Sequence, residues 1–192
     1  MEKDPFYHRI TITGDPGSGK TTFAGNVAAR TGYRLITTGN IFRDLAREKG
    51  ISVADLNALA ETQKEIDAKV DEYLVSLNDA PEHLVLDSRM AWHFLKNAFK
   101  IRLTVDLDVA ARRIFGDIRG EETFDNLDTA MKEVERRRQS EIHRYNALYN
   151  VNIGDDSNFD LVINTSGKTE ADVLALFDDA FRNYTDPLAR SG

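Results

Sequence analysis

Short apolar runs alternate with longer segments of helical periodicity along the chain. The runs cover residues 8–13, 33–37, 83–87, 101–107 and 159–165. They are rich in branched or aromatic side chains, which is typical of β-strands. The third run is continuously apolar up to its final carboxylate, as expected for a strand buried on both faces of a parallel sheet. Strands that alternate with helices predict an α/β fold, a five-stranded parallel sheet with helices on both faces.

The segments between these runs repeat apolar residues at helical spacing and carry capping signals. The first predicted helix starts near Lys20 and ends before Gly32, where a C-terminal glycine is expected. Asp108 is expected to cap the helix that follows the fourth strand. The other predicted helices cover residues 41–49, 62–77, 108–118, 125–149 and 170–181, and residues 184–192 are expected to fray.

Polar segments follow three of the predicted strands. They are residues 14–21, Asp87–Arg89 and Asn164–Thr165. Right-handed crossovers bring the carboxyl ends of parallel strands to one edge of the sheet, where such folds bind ligands. We therefore expect these three segments to converge and to form the functional site.

Composition narrows the class of protein. The 192 residues fit one domain with a full core, and the sequence shows no repeat and no linker. A net charge of −7 and a pI near 5.1 argue against a nucleic acid polymer as the main partner. No apolar run approaches membrane-spanning length, and there is no cysteine. We expect a cytoplasmic protein that contacts no membrane and acts as a monomer.

One glycine-rich segment carries the clearest chemical signal. Residues 14–21 fit G-x-x-x-x-G-K-[ST], with a predicted strand before them and a predicted helix after them. Glycines let the backbone N–H groups turn into one concavity that suits an anion. Lys20 adds a cation for the β- and γ-phosphates, and the Thr21 hydroxyl can ligate Mg²⁺. The segment therefore predicts a loop that binds a nucleoside triphosphate at a helix N-terminus.

A phosphate-binding loop leaves three classes of protein open. A GTPase switch is disfavoured because the sequence has no Asn-Lys-x-Asp signal for guanine. An ATP-driven machine is disfavoured because such chains are larger and end this strand in Asp-Glu, whereas here it ends Asp87-Ser88-Arg89. A small-molecule kinase remains, and it needs cationic groups that hold the acceptor and neutralise the transferring charge.

Arginines at several positions are candidates for that task. Arg89 stands out because it follows a buried strand and neighbours Asp87, so its charge needs a functional reason. Arginine is mostly exposed, and each of the others, taken alone, is more typical of a solvated surface. These others are Arg43, Arg119, Arg137 and Arg144.

Several blocks of the sequence occur together in one known family. They are Thr11–Thr22, Gly39–Arg43, Glu65–Asp67 with Asp71, Arg137 with Ser140–Glu141, Arg144–Tyr145 with Tyr149, and Phe159–Thr165. In content and order they resemble the short, archaeal-type cytidylate kinases, over residues 8 to about 180. Many kinases share the phosphate loop, whereas the second and last blocks discriminate more strongly.

The resemblance implies the three-layer P-loop kinase fold of nucleoside monophosphate kinases, as a single domain over residues 1–192. A helical insertion binds the monophosphate in this family, and a short lid closes over the phosphates. The implied ranges are 7–37, 79–115 and 150–183 for the core, about 38–78 for the insertion, about 116–125 for the lid and about 125–149 for a long arginine-bearing helix.

The resemblance also implies phosphoryl transfer from ATP to CMP or dCMP with Mg²⁺. Thr21 would ligate the metal ion, and Asp87 would bind its waters. The implied catalytic residues are Lys20, Arg119, Arg137 and Asp87, with the two arginines on the lid side. ATP would be held by Gly14, Asp15, Pro16, Gly17, Ser18, Gly19, Lys20, Thr21 and Thr22, with Asn164 and Thr165 on the adenine side. The acceptor would be held by Gly39, Arg43 and Arg89, with Asp67 and Asp71 as candidate base contacts.

One departure from the family pattern keeps alternatives open. The family has Glu-Gly-Arg after the third strand, whereas this chain has Asp87-Ser88-Arg89, followed by Met90-Ala-Trp92. A specialised nucleotide could therefore be the acceptor. A shikimate- or gluconate-type kinase would instead use Asp87 as a general base towards a hydroxyl. A nucleotide-binding regulator would bind ATP without acceptor turnover.

Overall fold

The computed structural model describes residues 8–52, 55–56, 59, 64–116 and 126–185. Five strands form one sheet in the order β2-β3-β1-β4-β5. Strands pair in parallel in β1–β3, β2–β3 and β4–β5. The strands are β1 (Arg9–Gly14), β2 (Arg34–Thr37), β3 (Leu84–Asp87), β4 (Ala98–Thr104) and β5 (Leu161–Asn164). The predicted five-stranded parallel α/β fold is confirmed.

Helices connect these strands. They are α1 (Lys20–Thr31), α2 (Thr38–Lys49), α3 (Lys64–Ser76), α4 (Ala91–Phe94), α5 (Leu107–Gly116), α6 (Leu127–Tyr149) and α7 (Glu170–Thr185), with 3₁₀ turns at Leu77–Asp79 and Asp156–Asn158. None of the described helices combines the length and the apolar character needed to cross a lipid bilayer.

Several predicted boundaries were wrong by a few residues. The strand predicted to run through Leu107 ends at Thr104, because Asp106 O accepts the amide of Ala110 at 2.8 Å and so turns the chain into α5. Asp108 therefore lies in the first helical turn rather than at the cap. Helix α2 begins three residues earlier than predicted, since the hydroxyl of Thr37 accepts the Asn40 amide at 3.0 Å.

The helix ends show similar differences. Helix α6 begins at Leu127, two residues later than predicted, after Asn126 caps the Thr129 amide at 2.9 Å. At the other end of the chain, Tyr184 and Thr185 belong to α7 and are not frayed. The start of the third predicted helix at Thr62, Gly120 of the expected lid and the end of the fourth predicted helix at Ile118 lie outside the described residues.

The described chain divides into two compact units. The first comprises residues up to Thr13 together with Ala24–Phe99, and the second comprises Gly14–Phe23 together with residues from Lys100 onward. In the first unit, α3 buries a stripe of Ile66, Val70 and Leu74, followed by Leu77. Most of this stripe packs with buried residues of α2, β2, β3 and α4 in one apolar cluster.

The second unit has its own apolar cluster, built where α5 and α6 pack together. Its members are Val105, Ala110, Ala111, Ala130 and Val134. All of these buried residues are alanine or valine, and larger, partly buried side chains pack against them, among them Leu107, Ile114, Leu127 and Met131. The unit also contains the phosphate loop, which approaches α5 at Ala110 and α6 at Arg138.

Candidate active site

The glycine-rich loop of the second unit is held by its own backbone. The Asp15 amide donates to Leu103 O at 2.9 Å, which ties the start of the loop to β4. The Ser18 amide donates to Asp15 O at 3.1 Å and closes a turn. The Phe23 amide then donates to Gly19 O at 3.0 Å as α1 begins. The loop is thus a preformed turn that leads directly into a helix N-terminus.

Glycine is required within this turn for two separate reasons. Gly17 has a φ of +77°, a left-handed conformation that favours glycine. A Cβ there would also lie 2.9 Å from Ala110 O, a backbone atom of α5. At Gly14, a Cβ would lie 2.7 Å from Ser18 Oγ and 2.9 Å from Leu103 O. The motif glycines therefore allow a close approach between the loop and its supporting elements.

Lys20 and the two threonines after it occupy the first turn of α1. Lys20 is half-buried, whereas Thr21 and Thr22 are exposed. The first turn of α1 carries no acidic residue that would oppose an anion there. Unpaired backbone N–H groups and the helix dipole favour a phosphate at such a terminus. The arrangement fits the predicted nucleotide-binding role of the loop.

Arg113 of α5, which was not predicted, supports the loop through hydrogen bonds. Its Nη1 donates to Gly17 O at 3.1 Å and to Thr165 Oγ1 at 2.9 Å, and its Nη2 donates to Thr165 O at 2.9 Å. The Thr165 hydroxyl in turn donates to Ser18 O at 3.2 Å. Arg113 and its exposed neighbour Arg112 differ in the side of α5 on which they lie. The sequence of two adjacent arginines does not show which of them faces the loop.

The residues at the end of β5 therefore help to hold the phosphate loop. Thr165 is 4% exposed, and its hydroxyl is used inside the protein. Asn164 is exposed, donates to Asp106 Oδ1 at 3.0 Å and accepts the Ser166 amide at 2.8 Å. Their predicted contact with adenine stays a prediction, and for Thr165 the observed role is to hold the phosphate loop.

The three consecutive arginines of α6, residues 136–138, have two different acidic partners. Arg136 and Arg137 both donate to Glu133, the latter through Nε at 3.0 Å. Arg138 instead reaches Asp15 in the phosphate loop, where Nη2 lies 3.3 Å from Oδ2. Arg137 is the predicted catalytic member, and that role stays a prediction. Its predicted partner Arg119 lies outside the described residues.

The two arginines hold the pKa of Glu133 far below its ordinary value. The hydrogen bond from Arg136 is the largest cause, and the pKa falls from 4.5 to about 2. A carboxyl whose folded pKa is depressed stabilises the fold above its unfolded pKa, and this contribution is lost as the pH falls through the folded pKa. The ion pairs should therefore persist at neutral pH and disappear between about pH 4.5 and 2.

We expect Glu133→Gln to lower the free energy of unfolding by a constant amount above pH 5 and by progressively less below it. Denaturant unfolding at a series of pH values measures this difference. Glu135→Gln is the control, because an amide rather than an arginine donates to Glu135, from Gln139 at 2.8 Å. A Glu133→Gln difference that stayed constant from pH 7 to pH 2 would contradict the assignment.

The segment after β3, in the first unit, is fixed by hydrogen bonds to its backbone. Arg89 O accepts the Thr13 hydroxyl at 3.3 Å and the indole Nε1–H of Trp92 at 3.0 Å. Asp87 O accepts the Thr38 hydroxyl at 3.3 Å, and Asp87 itself is 4% exposed. The predicted Asp87–Arg89 segment thus has a set backbone course, and Arg89 is half-buried. The hydrogen bond from Trp92 to Arg89 O was not predicted, because an indole N–H gives no pattern in the sequence.

The other predicted acceptor residues lie on α2 and α3 of the same unit. Arg43 is exposed on α2, and its Nη2 donates to Asn40 Oδ1 within the same helix. A Cβ added at Gly39 would lie 3.9 Å from Arg43 Nη1. Asp67 and Asp71 are both half-buried on α3. Their contact with a base is untested and stays a prediction.

Arg144, which the sequence placed one heptad after Arg137, lies further along α6. Its guanidinium carbon is 5.9 Å from the centroid of the Tyr145 ring, and that ring stacks on Tyr149 at 6.2 Å. This part of α6 therefore carries a cation–aromatic group.

Comparison with known proteins agrees with this arrangement. The model of the Cytidylate kinase-like family matches residues 9–167. The cytidylate kinase of Haloquadratum walsbyi is 34% identical over 185 residues, which cover 95% of this chain and 93% of that protein. The cytidylate kinase of Methanocaldococcus jannaschii is 37% identical over 179 residues, which cover 91% of this chain and 97% of that protein.

A solved structure supports the fold at lower identity. The shikimate kinase from Acinetobacter baumannii in complex with shikimate has a TM-score of 0.59 and 16% identity, covering 94% of this chain and 97% of that chain. At this identity the likeness concerns the fold alone. The family match and the curated relatives extend over most of the chain and include the phosphate loop, β3 and β5. The chain therefore belongs to the cytidylate kinase-like family.

Proposed function

We propose that this protein transfers the γ-phosphoryl group of ATP to a pyrimidine monophosphate, CMP or dCMP, with Mg²⁺. The observation that carries the proposal is the likeness over most of the chain to relatives named cytidylate kinase. The preformed loop at the N-terminus of α1 supports it, because it supplies the anion site that the reaction needs. Acceptor-dependent formation of ADP is the activity that the proposal predicts.

In this proposal the second unit binds ATP. The loop backbone from Gly14 to Thr22 takes the phosphates, and Lys20 neutralises charge on the β- and γ-groups. Arg113 and Thr165 stabilise the loop by donating hydrogen bonds to its backbone carbonyl groups. The positive φ of Gly17 and Gly19 lets successive amides turn towards one side of the loop. The backbone of the loop is then already turned for the triphosphate before it binds.

Mg²⁺ would reach the protein together with the triphosphate. The described residues contain no cluster of three His, Cys, Asp or Glu that could hold a metal ion alone. A site with few protein donors fits Mg²⁺, which binds phosphates and keeps several waters. We assign the Thr21 hydroxyl as one ligand and Asp87 as acceptor for bound waters. The ion would neutralise charge on the β- and γ-phosphates.

The first unit would bind the acceptor. We assign Arg43 and Arg89 to its phosphate, since a guanidinium can make two parallel hydrogen bonds to a phosphate dianion. Gly39 lies in the first turn of α2, one turn before Arg43, and a Cβ there would be in van der Waals contact with Arg43 Nη1. Asp67 and Asp71 are the candidate contacts to the base. Arg119 and Arg137 would approach the transferring group from the lid side.

The reaction needs no general base. A phosphate oxygen of CMP is already ionised at neutral pH, so it can attack the γ-phosphorus directly. The new O–P bond forms as the bond to the bridging oxygen of ADP breaks, and the electron pair leaves with ADP. Positioning and neutralisation of charge supply the catalysis. Asp87 then has no proton to abstract, unlike in a kinase that acts on a hydroxyl.

A panel of acceptors tests the proposal. ADP release would be measured with ATP and Mg²⁺ in the presence of CMP, dCMP, UMP, AMP, shikimate or water. We expect CMP and dCMP to give the highest kcat/KM. Release with shikimate alone would favour a hydroxyl acceptor. Release that did not depend on any acceptor would favour an ATPase, and ATP binding without release would favour a regulator.

Trp92 supplies a prediction for the acceptor side. Trp92→Phe keeps a ring but removes the N–H that donates to Arg89 O. Loss of one neutral hydrogen bond costs about 0.5–1.5 kcal/mol, and this weakens the hold on the Arg89 segment in its binding position. We therefore expect the KM for the acceptor to rise by up to about tenfold. The KM for ATP should change less than twofold.

Steady-state kinetics with each substrate varied in turn measure this effect. Tyr184→Phe, which removes a hydroxyl near the end of α7, serves as the control. Because Trp92 is the one tryptophan in the sequence, its fluorescence in the wild-type protein should also change when CMP is added. Equal changes in both KM values for Trp92→Phe would contradict the assignment of Arg89 to the acceptor.

A further inference from the structure

A carboxylate lies within the phosphate loop, where two arginines flank it. Asp15 Oδ1 is 3.4 Å from Arg102 Nη2 of β4, and Asp15 Oδ2 is 3.3 Å from Arg138 Nη2 of α6. The side chains of Asp15, Arg102 and Arg138 are 18%, 14% and 19% exposed. At this burial water screens the charges only partly, so the three groups interact strongly.

Further contacts fix the position of both arginines. Arg102 Nη1 donates to Gly154 O at 3.1 Å and also to the carboxylate of Asp156. Arg138 Nη2 donates to Val105 O at 2.5 Å. Its Nε is buried and has no hydrogen-bond partner among the described residues, which is unfavourable. The contacts with Asp15 and Val105 must therefore outweigh that cost.

The charge of Asp15 is unfavourable for the function of the loop. The motif leaves this position open, so phosphate binding does not require a carboxylate there. A triphosphate carries about four negative charges, and each would be repelled by a nearby carboxylate. A loop that contains Asp15 can bind the nucleotide tightly only if that charge is neutralised by neighbouring groups.

We infer that Arg102 and Arg138 are positioning residues that neutralise Asp15 and thereby set the affinity of the loop for ATP. The inference rests on the proposed function in taking ATP as the ligand. Arg138 acts through Asp15 rather than on the nucleotide itself. Arg137, the preceding residue of the same helix, differs in this respect because it pairs with Glu133.

A purely mechanical role for the same contacts predicts a different outcome. If the arginines only tether the loop, removing either end of the contact should weaken ATP binding, and removing both should not help. If they neutralise charge, removing Asp15 should strengthen binding, because two cations then remain. Removing one arginine together with Asp15 should restore the original balance. The sign of the Asp15 effect therefore distinguishes the two roles.

Calorimetric titration of ATP with Mg²⁺, in the absence of any acceptor, measures the effect directly. We expect Arg138→Gln to raise the Kd about tenfold and Asp15→Asn to lower it about threefold or more. The double variant Asp15→Asn/Arg138→Gln should return to within about threefold of the wild-type Kd. Arg182→Gln, an exposed arginine of α7 paired with Asp179 at 3.6 Å, is the matched control and should leave the Kd unchanged.

The same three measurements with Arg102→Gln in place of Arg138→Gln provide a second test if Arg138→Gln does not fold. Thermal unfolding of each variant checks this point. A raised Kd for Asp15→Asn, or a double variant as weak as the arginine variant, would overturn the inference while the proposed function stands. Absence of ATP binding by the wild-type protein would overturn both.

Discussion

Lys20→Ala should lower kcat by a factor of about 10² to 10³ or more while leaving the fold intact. Lys20 lies at the start of α1, where the loop backbone and the helix dipole favour an anion. Its ammonium would interact with the γ-phosphoryl group most strongly as negative charge develops on the leaving oxygen. The backbone amides of the loop do not depend on this side chain, so ATP should still bind, though more weakly.

Single-turnover measurements with ATP, Mg²⁺ and CMP would report the chemical step, and thermal unfolding would report the fold. Lys132→Ala is the matched control, because Lys132 is an exposed lysine on α6. It should change kcat by less than twofold. Turnover of Lys20→Ala at the wild-type rate would contradict the assignment of the loop to phosphoryl transfer, even though the chain belongs to the cytidylate kinase-like family.

Arg89→Ala should reduce kcat/KM for CMP by about ten- to a hundredfold and leave the KM for ATP nearly unchanged. The assigned role is a charged hydrogen bond to the acceptor phosphate, and the loss of such a bond costs about 1.5–3 kcal/mol. The backbone of Arg89 is held by Thr13 and Trp92, so removing the side chain should not shift the segment. Arg43→Ala should act in the same direction.

Initial rates with CMP varied at saturating ATP, and the reverse, separate the two substrates. Arg34→Ala is the control in the same unit, since Arg34 is 59% exposed and pairs with Glu82 at 2.6 Å. An Arg89→Ala variant that changed only the KM for ATP would show that Arg89 serves the nucleotide and that the acceptor is bound elsewhere.

The sequence was sufficient for the features that rest on local pattern. The five strands and the helices that end before Gly32 and Gly50 follow from periodicity and turn chemistry, and the structure confirms them. The phosphate loop was also readable, because its glycines, lysine and threonine are fixed in spacing by the anion that they surround. Boundaries failed where a side chain competed with the pattern, as Thr37 does at the start of α2.

The support of the loop could not be read from the sequence. Arg113 and Arg138 each follow a neighbouring arginine, and the rotation of α5 and α6 decides which member of each run contacts the loop. That rotation depends on how the small residues of the two helices pack. Sequence reasoning assigned Arg137 to the transferring phosphoryl group, which stays a prediction, and gave no role to Arg138, which contacts Asp15 of the loop. Tertiary packing, rather than motif or charge, carries this information.

The close fit of Gly17 over Ala110 has a consequence for motion. Since a single added methyl group would meet the backbone of α5, no slack exists between the turn and that helix. A shift of α5 towards the loop would therefore displace the turn that we propose to hold the triphosphate, so we expect helix and turn to move as one rigid body.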